Sequence, residues 1–370
     1  MTGRSAESVI PQLHQLTGLR GLAAWFVVFY HMRTAASGLL SSQAMAVLAK
    51  GYLAVDLFFL LSGFVMWLNY GERLREGGWP AARQFWWKRV ARIWPLHLLV
   101  LGAMMAFAIV LMTTGRAAQV YPIAELPLHI FLVQNWGLTD ALSWNHPAWS
   151  ISTEFAAYLL FPLVVWMLAW ERLGTATLVM VACLLLGLLH FVFAFLGLDD
   201  LGLLIPKLGL VRCLTEFACG ALLCILWQRC ASGDGRAGLA AGLLCGALLV
   251  TGLAAGLPET LFVPAAMASG LFALALADGI ITRFLGSWPM RWLGDISYAT
   301  YLAHFFLFIL FKILFVGEDG RLGWAGVGGY LFLVLVASAV LYHGFEKPAQ
   351  RWVAARAPRG FDRQQASIVS

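Results

Sequence analysis

Apolar runs of about 20 residues, the length that carries a helix across a bilayer core of ~30 Å, recur along this chain from end to end. They fall near residues 16–36, 52–70, 93–113, 148–169, 176–196, 207–228, 238–256, 262–281, 293–315 and 326–344. Hydrocarbon offers backbone amides no water, so each run must satisfy its own hydrogen bonds as a helix. The expected fold class is therefore all-α, a polytopic transmembrane helix bundle of about ten spans. Charged residues make up only 12% of the chain, about half the share usual in a soluble domain. A soluble protein with one greasy helix is excluded.

In such a chain the net charge of +6 does not point to nucleic acid, because Lys and Arg mark the loops that stay in the cytoplasm. With the N-terminus inside, 18 of the 25 basic residues fall on the inner side, so the expected topology is N-in and C-in. Residues 1–15 read as a cytoplasmic segment, 16–346 as the membrane domain and 347–370 as a basic cytoplasmic tail. The first apolar run contains His31 and Arg33, unlike the core of a signal peptide, and reads as a retained helix. The six cysteines form no CxxC pair and read as small packing residues; no metal is expected. Residues 114–147, with Pro122, Pro127 and Pro147, form a long, apolar outer connection that is expected to be partly re-entrant or interfacial.

Ionisable residues inside spans are costly and mark candidate functional sites. On the first span Arg20 and His31 are eleven residues apart. They share one helix face, separated by ~16 Å along the axis, with Arg20 near the cytoplasm and His31 in the outer half. The bland alternative is a snorkelling Arg20 and a His31 that caps the helix. On the second span Asp56 interrupts an apolar run, and Ser62–Gly63 is a small pair suited to close helix packing. A structural role for Asp56 would be an ion pair to Arg33 or Lys50. Lys88, Arg89 and Arg92 lead into the third span; they are ordinary positive-inside charge or a phosphate-binding cluster. Glu154, in the segment Trp149-Ser150-Ile151-Ser152-Thr153-Glu154, is expected near the depth of His31 and would form an acid–base pair with it. The remaining His97, His129, His146, His190 and His343 read as interfacial or packing residues.

Taken in order, these segments resemble the acyltransferase-3 family of integral-membrane acyltransferases. The resemblance rests on Arg20-x10-His31, on Gly51…Asp56…Phe59…Ser62-Gly63, on Arg89-x-x-Arg92 followed by Pro95, and on Trp149-Ser150…Glu154. It continues in Gly294-x-Ile296-Ser297-Tyr298…Tyr301-Leu302…His304 and Glu346-x-Pro348. It implies an O-acyltransferase of the bacterial inner membrane, moving an acyl group, usually acetyl, from cytoplasmic acyl-CoA to a hydroxyl of a glycan or glycoside at the outer face. Arg20, Lys88, Arg89, Arg92 and Ser62 would bind the CoA donor. His31, Glu154 and Asp56 would serve catalysis, and Trp149, Tyr298, Tyr301 and His304 would line the acceptor. His31 is expected as general base, with an acyl-histidine intermediate as the rival path. The competing reading is a proton-coupled transporter or flippase, against which stands the absence of a visible internal repeat or of paired broken spans. The expected partners are acyl-CoA, a glycan-type acceptor and the lipid bilayer; the sequence leaves the oligomeric state open.

Overall fold

The computed structural model describes residues 13–115, 119–233, 235–317 and 320–357; the outer parts of the expected terminal segments, 1–12 and 358–370, lie outside the described residues. No strand occurs among the described residues. The helices are α1 (His14–Met32), α2 (Ser42–Ala49), α3 (Ala54–Thr113), α4 (Leu126–Ile130), α5 (Ala148–Met167), α6 (Thr175–Phe195) and α7 (Ile205–Cys230). They continue with α8 (Arg236–Ala254), α9 (Glu259–Leu276), α10 (Ile280–Leu285), α11 (Trp288–Asp295), α12 (Ser297–Phe315), α13 (Trp324–Leu341) and α14 (Lys347–Ala354). Among the described residues, eight helical segments are long and apolar enough to cross a membrane, which makes this a multi-pass membrane protein. The 19-residue α1 is outside that set because His14, Gln15, Arg20 and His31 dilute its apolar run.

One of the eight segments holds two of the expected spans. Helix α3 is 60 residues long and as a straight rod would run about 90 Å. It is broken at Gly78, which has φ 53° and ψ −141°, a backbone conformation open to glycine. The arms on either side fold back on each other. The rings of Tyr70 and Phe85 lie 5.0 Å apart, where a straight helix would hold residues so spaced ~22 Å apart. Arg89 Nη2 donates to the Tyr70 hydroxyl across the same hairpin (3.0 Å). The basic stretch 71–92, expected as a loop, is thus helical except at that one residue.

Helices α3 and α7 share the largest helix interface, and small residues make it possible. A Cβ on Gly63 would lie 1.9 Å from the Phe217 carbonyl oxygen, and one on Gly220 2.0 Å from that of Leu60. The backbones touch, as the Ser62–Gly63 pair led us to expect. Within this interface Asp56 and Arg212 form a two-pronged ion pair, with side chains 0% and 1% exposed. Arg212 also donates to the carbonyls of Leu201 (3.0 Å) and Tyr52 (3.4 Å), and its guanidinium lies 5.4 Å from the centre of the Trp149 ring.

The partner of Asp56 is therefore Arg212 and neither of the two cations expected from the sequence. Lys50 is engaged by Glu259 and Asp200, and Arg33 folds back over its own Tyr30 ring. Both flank the short turn region that leads into α3, whereas Arg212 faces Asp56 from the side of the bundle.

Among its described residues the outer connection contains only a 3-10 turn (Ile123–Glu125) and α4; otherwise these residues are irregular, yet Tyr121, Leu132 and Trp144 are buried. It is tied to the bundle by Trp94 Nε1 to the Ile130 carbonyl (3.0 Å) and by the Asn135 amide to Ser152 Oγ (3.1 Å). At the far end a π turn (Tyr342–Glu346) leads into α14, which is docked on α3 through Trp87 Nε1 and the Val353 carbonyl (3.1 Å).

Two stability experiments follow from these contacts. Asp56→Ala strands a buried guanidinium and should cost about 3–5 kcal/mol, read as a fall in the thermal midpoint of the detergent-purified protein. The double variant Asp56→Leu/Arg212→Leu should recover most of that loss; a double variant as unstable as the single one would show that the pair is not the source. Gly63→Val should cost about 1–3 kcal/mol or more by overpacking, while Gly102→Val, whose Cβ meets nothing within 4 Å, should leave the midpoint unchanged.

Candidate functional site

At the C-terminal end of α1, His31 meets His304 of α12: His304 Nε2 and His31 Nδ1 are 3.2 Å apart, with ring centres 4.9 Å apart. Their other contacts fix which nitrogen carries hydrogen. His304 Nδ1 lies 3.1 Å from the Thr300 carbonyl and His31 Nδ1 lies 3.0 Å from the Val27 carbonyl. A carbonyl only accepts, so in the neutral pair both Nδ1 atoms are protonated. His304 Nε2 then presents a lone pair and accepts from His31 Nδ1–H, which it shares with Val27. His31 Nε2 is left as the free basic nitrogen. Tyr330 donates to the His304 carbonyl (3.0 Å) and holds this turn of α12 in place.

Aromatic rings enclose the pair. The Phe305 ring meets His31 edge-on at 5.3 Å and is stacked against His146 at 4.8 Å. His146 thus belongs to this neighbourhood and is not a remote interfacial residue. Burial holds its imidazole below the usual value. His129, beside it in the connection, is pulled down to about 3 by burial, with His97 and His146 adding to the effect. Tyr301 is 6.0 Å from His304 ring to ring. Its hydroxyl pairs with Ser150 Oγ (2.7 Å), which itself donates to the Pro147 carbonyl (3.1 Å), so the Tyr301 proton is spent on Ser150.

Cations gather at the opposite end of the same helices. Arg92 pairs with the buried Glu346 and sits 5.3 Å over the Tyr298 ring. Arg89 bonds Tyr70, and Lys88 lies in electrostatic range of the same phenol. Arg20 is surrounded by the bundle and within electrostatic range of Arg92, Glu154, Tyr158 and Asp295. Between the two ends runs a short polar chain: Ser62 Oγ is 3.0 Å from the Tyr158 hydroxyl, which donates to Glu154 Oε1 (2.6 Å).

Several expected assignments change. Glu154 shares no hydrogen bond with His31 among the described residues; its partner is Tyr158. Helix α5 begins at Ala148, so Glu154 is already ~9 Å along its axis and has passed the level of the histidines. His304 holds the imidazole instead. Tyr298 spends its proton on the Ile93 carbonyl (2.7 Å), and Trp149 covers the Asp56–Arg212 pair. Asp56 is locked in that pair and has no contact with the histidines. The sequence reading missed Tyr158, one turn beyond Glu154, and Arg212, an intramembrane cation with Glu216 one turn away. It also missed Glu346 as the partner of Arg92. The i to i+4 spacing of Glu154 and Tyr158, and of Arg212 and Glu216, was the available signal.

Comparison with known proteins gives a consistent result. Residues 13–343 match the acyltransferase domain of the acyltransferase-3 family. The chain is 29% identical to acyltransferase MdmB of Streptomyces mycarofaciens, over 94% of each chain. It is 35% identical to protein 2 in the picA locus of Rhizobium radiobacter, over 40% of this chain and 78% of that one. It is 27% identical to O-acetyltransferase OatA of Staphylococcus aureus, over 48% of this chain and 30% of that protein. No solved structure matches.

Proposed function

Because this chain belongs to the acyltransferase-3 family, we propose that it moves an acyl group, acetyl in the simplest case, from cytoplasmic acyl-CoA to a hydroxyl of a glycan or glycoside on the periplasmic side of the bacterial inner membrane. The observation that carries this reading is the His31–His304 pair, whose hydrogen-bond partners leave His31 Nε2 free and basic. Ten crossings, with both termini inside, follow if α1, the two arms of α3, α5, α6, α7, α8, α9, α12 and α13 each span. The cation-rich end then faces the cytoplasm, in keeping with the positive-inside rule.

In this reading the CoA phosphates are met by Arg20, Lys88, Arg89 and Arg92, guanidinium groups being matched to phosphate oxygens. The pantetheine arm follows the α1 face past Ser62, Tyr158 and Glu154, bringing the thioester to the histidines. His31 Nε2 takes the proton of the acceptor hydroxyl as its oxygen attacks the thioester carbon. The new C–O ester bond forms, the C–S bond breaks, and the imidazolium returns the proton to the leaving thiolate. His304 is a positioning residue: by accepting from Nδ1–H it holds the tautomer and helps carry the charge that develops on the His31 ring.

His31→Ala should lower transfer from labelled acetyl-CoA to membrane glycans by about 10²–10⁴-fold at unchanged protein level. Unaltered labelling would sink the assignment. His304→Leu should lower kcat without raising the acetyl-CoA KM. His304→Gln, which restores an acceptor oxygen, should recover part of it. In a single-turnover experiment without acceptor, accumulation of an acyl-enzyme would replace direct attack by the acyl-histidine path.

A further inference from the structure

Helix α14 has 8 residues, about 12 Å of helix, too few to cross a bilayer by itself. It is nonetheless held in one orientation. Trp87 Nε1 of α3 donates to the Val353 carbonyl (3.1 Å), and Glu346, immediately before the helix, is buried and paired with Arg92. Ala349, Gln350, Val353 and Ala354 are half-buried, whereas Pro348, Arg351, Trp352, Ala355 and Arg356 are exposed. The exposed positions recur at i, i+3, i+4, i+7 and i+8, a single stripe along the helix and into the turn that follows it.

This stripe joins an aromatic ring to uncompensated positive charge. Trp352 is 59% exposed. The Arg356 guanidinium stacks 3.5 Å over the Trp352 ring and donates through Nη1 to the Trp352 carbonyl (3.1 Å), which leaves most of its donors uncommitted. The side chain of Arg351 makes no hydrogen bond or ion pair among the described residues. Residues 347–357 contain no Asp or Glu, so neither cation is neutralised within the stripe.

The same end of the molecule bears further exposed apolar side chains. Arg92, the partner of Glu346, lies over Tyr298 in the first turn of α12, and α10 and α11 lead directly into that turn. These helices of six and eight residues belong to no membrane-crossing segment, yet Ile280, Ile281, Phe284 and Trp288 are exposed on them.

A dissolved anion would satisfy the arginines and leave the rings in water. An apolar partner would cover the rings and strand the arginines. The headgroup layer of a bilayer supplies phosphate and hydrocarbon within one side chain's length, and it is where Trp and basic amphipathic helices settle. We infer that α14 lies in the plane of the membrane surface at the cation-rich end and, with α10 and α11, forms a binding surface for anionic phospholipid. Arg351 and Arg356 meet the headgroup phosphates, which suit guanidinium groups, and Trp352 rests at the boundary with the acyl chains. This surface is independent of the acyl-transfer reading.

The test uses the full chain in dodecyl maltoside micelles, with phosphatidylglycerol, phosphatidylcholine and inorganic phosphate as probes. Phosphatidylglycerol should raise the thermal midpoint, and about 0.5 M NaCl should abolish most of the rise. Phosphatidylcholine and inorganic phosphate should not raise it. Arg351→Gln/Arg356→Gln, at exposed positions, should leave the lipid-free midpoint unchanged. It should raise the phosphatidylglycerol concentration needed for half the effect by about 25-fold, about fivefold for each cation removed. Arg172→Gln/Arg236→Gln, which removes the same charge from the connections after α5 and α7, should leave that concentration unchanged. No response to phosphatidylglycerol, or an unaltered response in the Arg351/Arg356 variant, would overturn the surface. So would an equal response to phosphatidylcholine, which marks plain apolar contact, or to inorganic phosphate, which marks a free-anion site. An equal loss in the Arg172/Arg236 variant would assign the effect to the charge of the whole face and overturn the role of α14.

Discussion

The buried pair of Asp56 and Arg212 is the interaction on which the rest of this bundle depends. Two charges in a membrane interior are stable only if they satisfy each other and their remaining donors find acceptors. Here Arg212 uses both arms on Asp56 and spends further donors on the Leu201 and Tyr52 carbonyls, with Trp149 lying across it. That arrangement fixes α3 against α7, and through Trp149 it also fixes the start of α5. The start of α5 carries Ser150, the partner of Tyr301, and Tyr301 lies beside His304. A structural ion pair thus helps set the geometry of a histidine pair that it does not touch. Close glycine contacts allow this, because only backbones in direct contact bring Asp56 within bidentate reach of Arg212.

The reaction centre applies the same logic to hydrogen atoms. Each histidine gives Nδ1–H to a carbonyl one turn earlier in its own helix, so helix geometry sets the tautomer. Bringing the two rings together then leaves one outcome for the remaining nitrogens: the lone pair of His304 faces His31, and that of His31 stays uncommitted. A carboxylate in the place of His304 would hold the ring equally well but, in the proposed reaction, would bring a negative charge beside an acyl carbon that must become oxyanionic. Two neutral imidazoles avoid that penalty.

Much of this was legible in the sequence, for physical reasons. Apolar runs of spanning length report helices directly, and His31 and Arg20 stood out because polarity in such runs is expensive, while Arg89 and Arg92 stood out as a basic cluster at a span boundary. Gly63 was legible as a packing residue for the same reason. Pairing between helices was not. Asp56 was matched with Arg33 or Lys50, its neighbours in sequence, and only the three-dimensional packing of α3 on α7 brings Arg212 to it. Glu154 was expected level with His31 although the span was placed to start at 148, where α5 starts; what the sequence does not carry is the packing, which sets Ser150 against Tyr301 and leaves Glu154 one turn further along, on Tyr158. The helical hairpin at Gly78 was hidden by its own composition, since a basic amphiphilic stretch reads equally well as a loop.

The irregular connection is held to the bundle in a different way. A transmembrane helix uses every backbone donor and acceptor on itself and presents a partner only with side chains. Segment 119–147 has no such closed ladder, so its backbone bonds are assembled piecemeal, and its amide side chains bond carbonyls at the starts of α5 and α7 and inside α12. Gln134, Asn135 and Asn145 each give up their nitrogen to this task. The amide oxygens left over are by-products of holding the loop on the bundle and are buried without a partner. A loop stitched down by amide N–H groups necessarily turns acceptors inward. That surplus of acceptors distinguishes this end of the molecule from the cation-rich end, where donors are in excess. In the proposed reaction the donor-rich end suits anionic phosphates, and the histidine pair lies at the other end of the same helices.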